Sequence, residues 1–201
     1  MSNTMPREAG KVKITKHGRN SDNLEITSAA IAALAEEIWR EHYTPIIGAG
    51  QVEYMLGRFQ SAKRVYEDIK NDGYTYFTVE CLEYDGDCGG MSGGSGEGPR
   101  RDKLVGYSAC APGEGYLFLS KLYIHKDYRG KGLSRKLLDE AITLCEREYE
   151  LSRIRLTVNK YNEHSIAVYK KMGFEVIEEV KNDIGGGFYM DDFVMEKGGN
   201  G

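Results

Sequence analysis

Several kinds of pattern are missing from this chain of 201 residues. No apolar run approaches the roughly 20 residues needed to cross a bilayer, and the N-terminal stretch has no apolar core of the kind a secretory leader carries. A protein of the reducing cytoplasm, without a membrane partner, is the expectation. Cys81, Cys88, Cys110 and Cys145 form no Cys-x-x-Cys pair, and no histidine stands at metal-ligand spacing from them, so no metal is expected. Cys81, Cys110 and Cys145 lie in apolar runs and read as reduced core residues. A net charge of −4 argues against nonspecific binding of nucleic acid. The Gly-x-Gly-x-x-Gly fingerprint of dinucleotide sites is absent, and so is the Gly-Lys-Ser/Thr ending that holds Mg²⁺ in nucleotide-hydrolysing loops.

What is present reads as one globular domain over residues 1–201, with 40% hydrophobic and 29% charged residues and length enough for a full core. The organising stretch runs from Leu122 to Ser134. Leu122, Tyr123 and Ile124 end a run of strand formers. The chain then breaks through Arg129-Gly130-Lys131-Gly132, and a helical period begins at Leu133, Leu137, Leu138, Ala141, Leu144 and Cys145. A strand, a glycine-rich turn and a helix start together make an anion site, because the first N–H groups of a helix lack intrahelical partners and face the positive end of its dipole. Glycine removes the Cβ atoms that would hold a phosphate away from the backbone, and Arg129 and Lys131 add positive charge.

These residues carry a resemblance. Arg129-Gly130-Lys131-Gly132-Leu133-Ser134 resembles the (Gln/Arg)-x-x-Gly-x-(Gly/Ala) loop of the GNAT family of N-acetyltransferases, with Ser134 standing where that family usually has Gly or Ala. About thirty residues on, Asn162, Ser165, Ile166, Tyr169, Gly173 and Phe174 match its Asn-x-x-(Ala/Ser)-Ile-x-x-Tyr-x-x-x-Gly-Phe motif. The resemblance covers about Ile26 to Lys197 and implies an α/β (α+β) fold: a mixed, mostly antiparallel sheet flanked by helices and splayed at the cofactor strand. It implies acetyl-CoA as cofactor and a primary amine as acceptor. Arg129, Gly130, Lys131, Gly132, Leu133 and Ser134 would hold the pyrophosphate. Backbone groups of Leu122, Tyr123 and Ile124 would meet the pantetheine arm, one N–H polarising the thioester carbonyl, a contact worth roughly 3 kcal/mol. Asn159 and Asn162 would add cofactor contacts. Tyr169 would be the general acid for the leaving thiolate, its phenol being of similar basicity. No Cys–His or Ser–His pairing suggests a covalent intermediate, so direct attack by the amine is expected. Glu114, Asp191 and Asp192 are the candidates to accept the amine's proton.

The other segments follow from period and punctuation. Residues 1–10 are polar and expected to be loose. A strand is expected over Val12–Lys16, then a helix capped by Thr27 or Ser28 with Ile31, Leu34, Ala35, Ile38 and Trp39 on its apolar face. Pro45 and Gly48 interrupt it, and a second helix from Gln51 carries Val52, Met55, Leu56, Phe59, Val65 and Ile69. His42 and Tyr43 lie at the wall that the resembled family uses for its acceptor. Strands are expected at Tyr74–Tyr84, Lys103–Ala111, Tyr116–His125 and Arg153–Val158, and after the Asn162-capped helix at Glu175–Val180 and Phe188–Glu196. Residues 85–101 are glycine-rich and expected to be a flexible insertion, with Cys88 exposed and oxidisable; residues 198–201 are expected to be loose. The last hairpin, with Trp39 to Pro45, resembles the bacterial spermidine/spermine branch of the family. Strand alternation sends Asp191 and Asp192 to opposite faces, and Asp191 is taken as the carboxylate that meets a small cationic amine such as a polyamine. The competing readings are acetylation of a protein N-terminus or lysine and a noncatalytic acyl-CoA-binding domain. The resemblance leaves a homodimer open.

Overall fold

The computed structural model describes residues 12–84 and 100–198. The expected loose N-terminus, most of the glycine-rich insertion with Cys88, and residues 199–201 lie outside the described residues.

The chain runs β1 (Val12–His17), α1 (Leu24–His42), α2 (Thr44–Ile47), α3 (Ala49–Phe59), α4 (Ala62–Lys70), β2 (Thr75–Tyr84), β3 (Arg100–Pro112), β4 (Leu117–Ile124), a 3₁₀ turn (Lys126–Tyr128), α5 (Leu133–Arg147), β5 (Arg153–Asn159), α6 (Glu163–Lys171), β6 (Glu175–Gly185) and β7 (Phe188–Gly198). The strands form one sheet in the order β1-β2-β3-β4-β5-β7-β6. All neighbours pair antiparallel except β4 and β5, so the mixed, mostly antiparallel sheet expected from the resemblance is the one observed. Among the described residues, no helix is long and apolar enough to cross a membrane.

Each face of the sheet carries its own core. Val105, Leu117, Leu119, Leu137, Leu138, Leu156 and Met195 are buried in the core that takes up α5. Ile31, Ile38, Trp39, Val52, Val65, Tyr76 and Tyr107 form the other, against α1, α3 and α4. The apolar stripes of α1 and α5 recur at helical spacing, which puts each on a single side of its helix.

Three features of β4 decide where the site lies. Its parallel pairing with β5 is confined to Leu117–Ile154 and Phe118–Arg155; beyond that the two strands diverge. On the other side the register with β3 shifts, Ala109 facing Lys121 and Cys110 facing Leu119, so Ser120 is a bulge. One extra residue flips the alternation of everything after it. Leu117 and Leu119 therefore point into the α5 core, whereas after the bulge Leu122 and Ile124 do so and Tyr123 joins the opposite core.

Some boundaries differ from expectation. α1 starts at Leu24, after Asn23 in a left-handed conformation (φ 55°) with no side-chain cap; Thr27 and Ser28 lie within the helix, and Ser28 is buried there. The expected second helix is three: α2, α3, and an α4 begun by Ser61, whose hydroxyl accepts from the Arg64 N–H at 3.3 Å. That cap satisfies an N–H the preceding helix could not, so the chain restarts although the apolar period continues. Arg100 and Arg101, assigned to the insertion, begin β3, and Gly198, assigned to the loose end, closes β7. β6 runs on to Gly185, which pairs with Phe188 across Gly186 and Gly187. Both turn residues have positive φ (65° and 79°), the backbone a two-residue hairpin needs.

Candidate functional site

Two concavities meet where β4 leaves β5. The first is a groove of about 190 Å³ running from the start of α5 to α6. Leu122, Tyr123, Ile124, Arg129, Gly130, Gly132, Leu133 and Ser134 line it, with His42, Tyr43 and Tyr169. The second is a cavity of about 720 Å³ between the sheet and the helices α1, α3 and α4, with Trp39, Asp68, Lys121, Asn159 and Asp192 in its wall. Tyr43, Ser120, Tyr123, Thr157 and Val158 line both, so the groove and the cavity share a wall at the splay.

The groove ends on the glycine turn. Gly130 and Gly132 have φ of 75° and 76°, and a Cβ there would meet nothing within 4 Å. Glycine is required at both positions by the backbone path and not by crowding. Gly132 is the cap residue of α5 and, as a glycine, offers no side chain to cap that helix end. Its leading N–H groups therefore face the groove with the dipole's positive end, ready for an anion. Arg129 closes the side: its Nε donates to the Ile124 carbonyl at 3.1 Å, and a terminal nitrogen pairs with Glu41 at 2.8 Å. Lys131 is exposed, sits 4.7 Å over the Tyr128 ring and is not part of the groove wall.

Tyr169 lies on α6 with its ring 5.8 Å from Phe174. Burial, with a smaller contribution from Tyr43, raises its pKa well above that of a free phenol, so at neutral pH it is a proton-bearing donor facing the groove. Tyr43 stacks on Trp39 at 4.4 Å and is pushed up to about 12, chiefly by burial. His42 is held toward the neutral form by burial and by Arg129.

The two asparagines stand apart from the groove. Asn162 is 2% exposed. Its Oδ1 accepts from the Ser165 N–H at 3.2 Å, capping α6, and its amide nitrogen lies 3.1 Å from His42 Nε2. It ties α6 to the end of α1, and its side chain is already engaged on both sides. Asn159 lines the larger cavity and accepts from the Tyr161 N–H at 3.0 Å.

The two aspartates separate as alternation requires, but the one in the cavity is Asp192. Asp191 turns away and pairs with Lys160 at 2.8 Å. Asp192 is 2% exposed and lines the cavity, and its Oδ1 has no hydrogen-bond partner among the described residues. Burial, reinforced by the neighbouring Asp191, raises its pKa to about 6. Glu114 is exposed and lines neither concavity.

Sequence reasoning missed Lys121 and the carboxylate it meets. Lys121 is 6% exposed, and its ammonium donates to Asp68 Oδ2 at 2.9 Å. Asp68, itself 2% exposed, also accepts from the Tyr76 hydroxyl at 2.5 Å and from Arg64 Nε at 2.6 Å. A lysine in the middle of an otherwise apolar strand was the signal available; its partner lies 53 residues away.

Known proteins resemble this chain in sequence and in fold. The model of the acetyltransferase (GNAT) family matches residues 32–174. A probable spermine N(1)-acetyltransferase of Bacillus subtilis subsp. natto is 31% identical over 122 residues, 60% of this chain and 72% of that protein. The N-alpha-acetyltransferase 50 of Danio rerio is 36% identical over 66 residues, 33% of this chain and 39% of that protein. Among solved structures, the PaiA N-acetyltransferase of Thermoplasma acidophilum in complex with coenzyme A superposes with a TM-score of 0.66 at 20% identity, over 94% of this chain and 99% of that one. A glycine turn at a helix start beside a splayed strand, a phenol on α6 and a family match over most of the chain lead to one assignment: this chain belongs to the GNAT acetyltransferase family.

Proposed function

We propose that this chain transfers an acetyl group from acetyl-CoA to a primary amine of a small molecule. The observation that carries the reading is the shared wall of groove and cavity at Tyr43, Ser120, Tyr123, Thr157 and Val158, which lets two ligands meet end to end. The groove suits coenzyme A: an uncapped helix start backed by Arg129 receives a pyrophosphate, and the strand edge freed by the splay offers N–H and C=O groups to the pantetheine amides. Bound there, the cofactor supplies an activated acetyl thioester.

The protein's own residues do the rest. The backbone after the Ser120 bulge polarises the carbonyl under attack. Tyr169, kept protonated by its surroundings, donates to the sulfur that leaves. Asp192, ionised above about pH 6, accepts the amine's proton directly or through water. His42 and Tyr43 form the wall between the two ligands. Polyamines enter as the class named by the Bacillus relative.

Thiol release from acetyl-CoA with a panel of polyamines, amino acids, aminoglycosides and short peptides tests the reading. Turnover restricted to small amines is the expected result. Turnover with peptides alone, or none with any amine, would overturn it.

Asp192 gives a second test, with a sign that can be worked out. Its pKa rises from 3.8 unfolded to about 6 folded, so its contribution to stability is present below the unfolded value and lost as pH climbs through the folded one. Two units correspond to about 3 kcal/mol opposing the fold at neutral pH. Asp192→Asn is therefore expected to raise Tm by several degrees at pH 8 and to leave it unchanged at pH 4. The same variant should turn over slowly and lose the inflection near pH 6 in its rate profile. A lower Tm at pH 8 would show that the carboxylate is held by contacts that favour its charge.

A further inference from the structure

We propose that the acceptor cavity is built for an amine that also carries a carboxylate, with Asp192 receiving the amine and Lys121 the carboxylate. The proposal rests on the acetyl-transfer reading and narrows its substrate class. It departs from the class that the name of the Bacillus relative suggests.

The cavity wall has an unsatisfied acceptor on one element and an underused donor on another. Asp192, on β7, has a buried Oδ1 without a hydrogen-bond partner and lies close enough to Tyr43 to influence its titration, which puts it at the end shared with the groove. A buried carboxylate oxygen in that state calls for a donor, and the reacting amine is one. Lys121, on β4, has three N–H donors. One goes to Asp68, and the Tyr74 and Tyr76 rings lie 5.5 and 5.2 Å from the ammonium. No other acceptor is bonded to it among the described residues, although it lines a cavity large enough for a ligand.

The surroundings of Lys121 decide the sign of that ligand. Asp68 shares its charge between Lys121 and Arg64. Glu67 stands near Lys63 and Arg64, at 3.8 and 4.0 Å. Arg58, also in the wall, donates to the Tyr54 hydroxyl at 2.6 Å and pairs with no carboxylate among the described residues. A second ammonium, such as a polyamine would bring, meets the four cations of this wall, Arg58, Lys63, Arg64 and Lys121, and among the described residues finds no carboxylate there, Asp192 aside, that is not already engaged. A carboxylate completes the coordination of Lys121 and restores the charge stabilisation that burial takes from it, which burial expresses as a lowered pKa that Asp68 only partly offsets.

The test uses Trp39, the chain's one tryptophan, which lines this cavity. Its emission is followed, in the presence of coenzyme A, while β-alanine, 4-aminobutyrate and 6-aminohexanoate are titrated against the diamines of matching length. The best amino acid is expected to bind roughly ten- to hundredfold more tightly than its diamine, the range of one hydrogen bond to a charged group. Lys121→Gln should bring that ratio close to one, while Asp192→Asn weakens both members of each pair. Diamines binding as tightly as the amino acids in the wild-type protein would overturn the proposal. So would a preference that survives Lys121→Gln. If that variant does not fold, the wild-type ratio decides alone. Thiol release with the same pairs is read separately: silence from every amine would sink the acetyl-transfer reading, while the binding ratio still decides the carboxylate site.

Discussion

Tyr169→Phe is expected to lower kcat by roughly 10²- to 10⁴-fold, the range of one positioned proton donor, while the affinity for coenzyme A stays unchanged. The change removes one oxygen and keeps the ring that packs on Phe174 at 5.8 Å. The groove's glycine-turn end, at Gly130 to Ser134, where the pyrophosphate is proposed to bind, belongs to other elements and should not notice. Burial and the proximity of Tyr43 hold the phenol protonated, so it carries a proton to donate and cannot serve as a base at neutral pH, although the same shift makes it a weaker acid than a free phenol. Single-turnover thiol release beside an equilibrium titration of coenzyme A separates the two effects. Equal turnover by both proteins would assign the proton to another group, and a parallel loss of coenzyme A binding would make Tyr169 a packing residue.

Asp68→Ala is expected to have the largest effect on stability. Asp68 accepts from Lys121, Tyr76 and Arg64 while almost wholly buried. Removing it strands the Lys121 ammonium, and breaking a buried pair from one side costs about 3–5 kcal/mol, or about 10 °C in Tm for a chain of this size. The sign of the pH dependence follows. Burial lowers the pKa of Lys121 and Asp68 opposes that shift; without Asp68 the depression deepens. A depressed lysine contributes stability at high pH and loses it as pH falls through the folded value. The deficit of Asp68→Ala should therefore shrink between pH 7 and pH 10. Thermal melts across that range would show it, and a deficit independent of pH would mean that lost packing, and not a stranded charge, is the cause.

Both residues show how far the sequence could be read. Tyr169 was legible because its motif is local: the spacing from Asn162 to Phe174 fits one short helix and its caps, with no information needed from elsewhere. The turn at Gly130 and Gly132 was legible for the same reason, since a strand, two glycines and an apolar helical period lie within one stretch. Lys121 and Asp68 were not, because one lies on β4 and the other on α4, 53 residues apart, and only the folded chain brings them together. Asn162 illustrates an intermediate case. Its position as a helix cap was readable, but its amide turns to His42, 120 residues away, a contact that no local pattern contains.

The sequence by itself determined the strands and their order, the helices α1, α5 and α6 and the glycine turn between β4 and α5, because apolar period, glycine at positive φ and helix starts are local requirements that few other conformations satisfy. The tertiary structure alone decided which residues line which concavity. The bulge at Ser120 inverts the alternation of β4, so Lys121 lines the larger cavity and Tyr123 joins the core on that side, away from the α5 core that Leu117 and Leu119 enter. The hairpin of β6 and β7 sets Asp192 inward and leaves Asp191 to Lys160. A shift of one residue in either strand would exchange these faces, and register is fixed only when the strand pairs with its neighbours and buries one side.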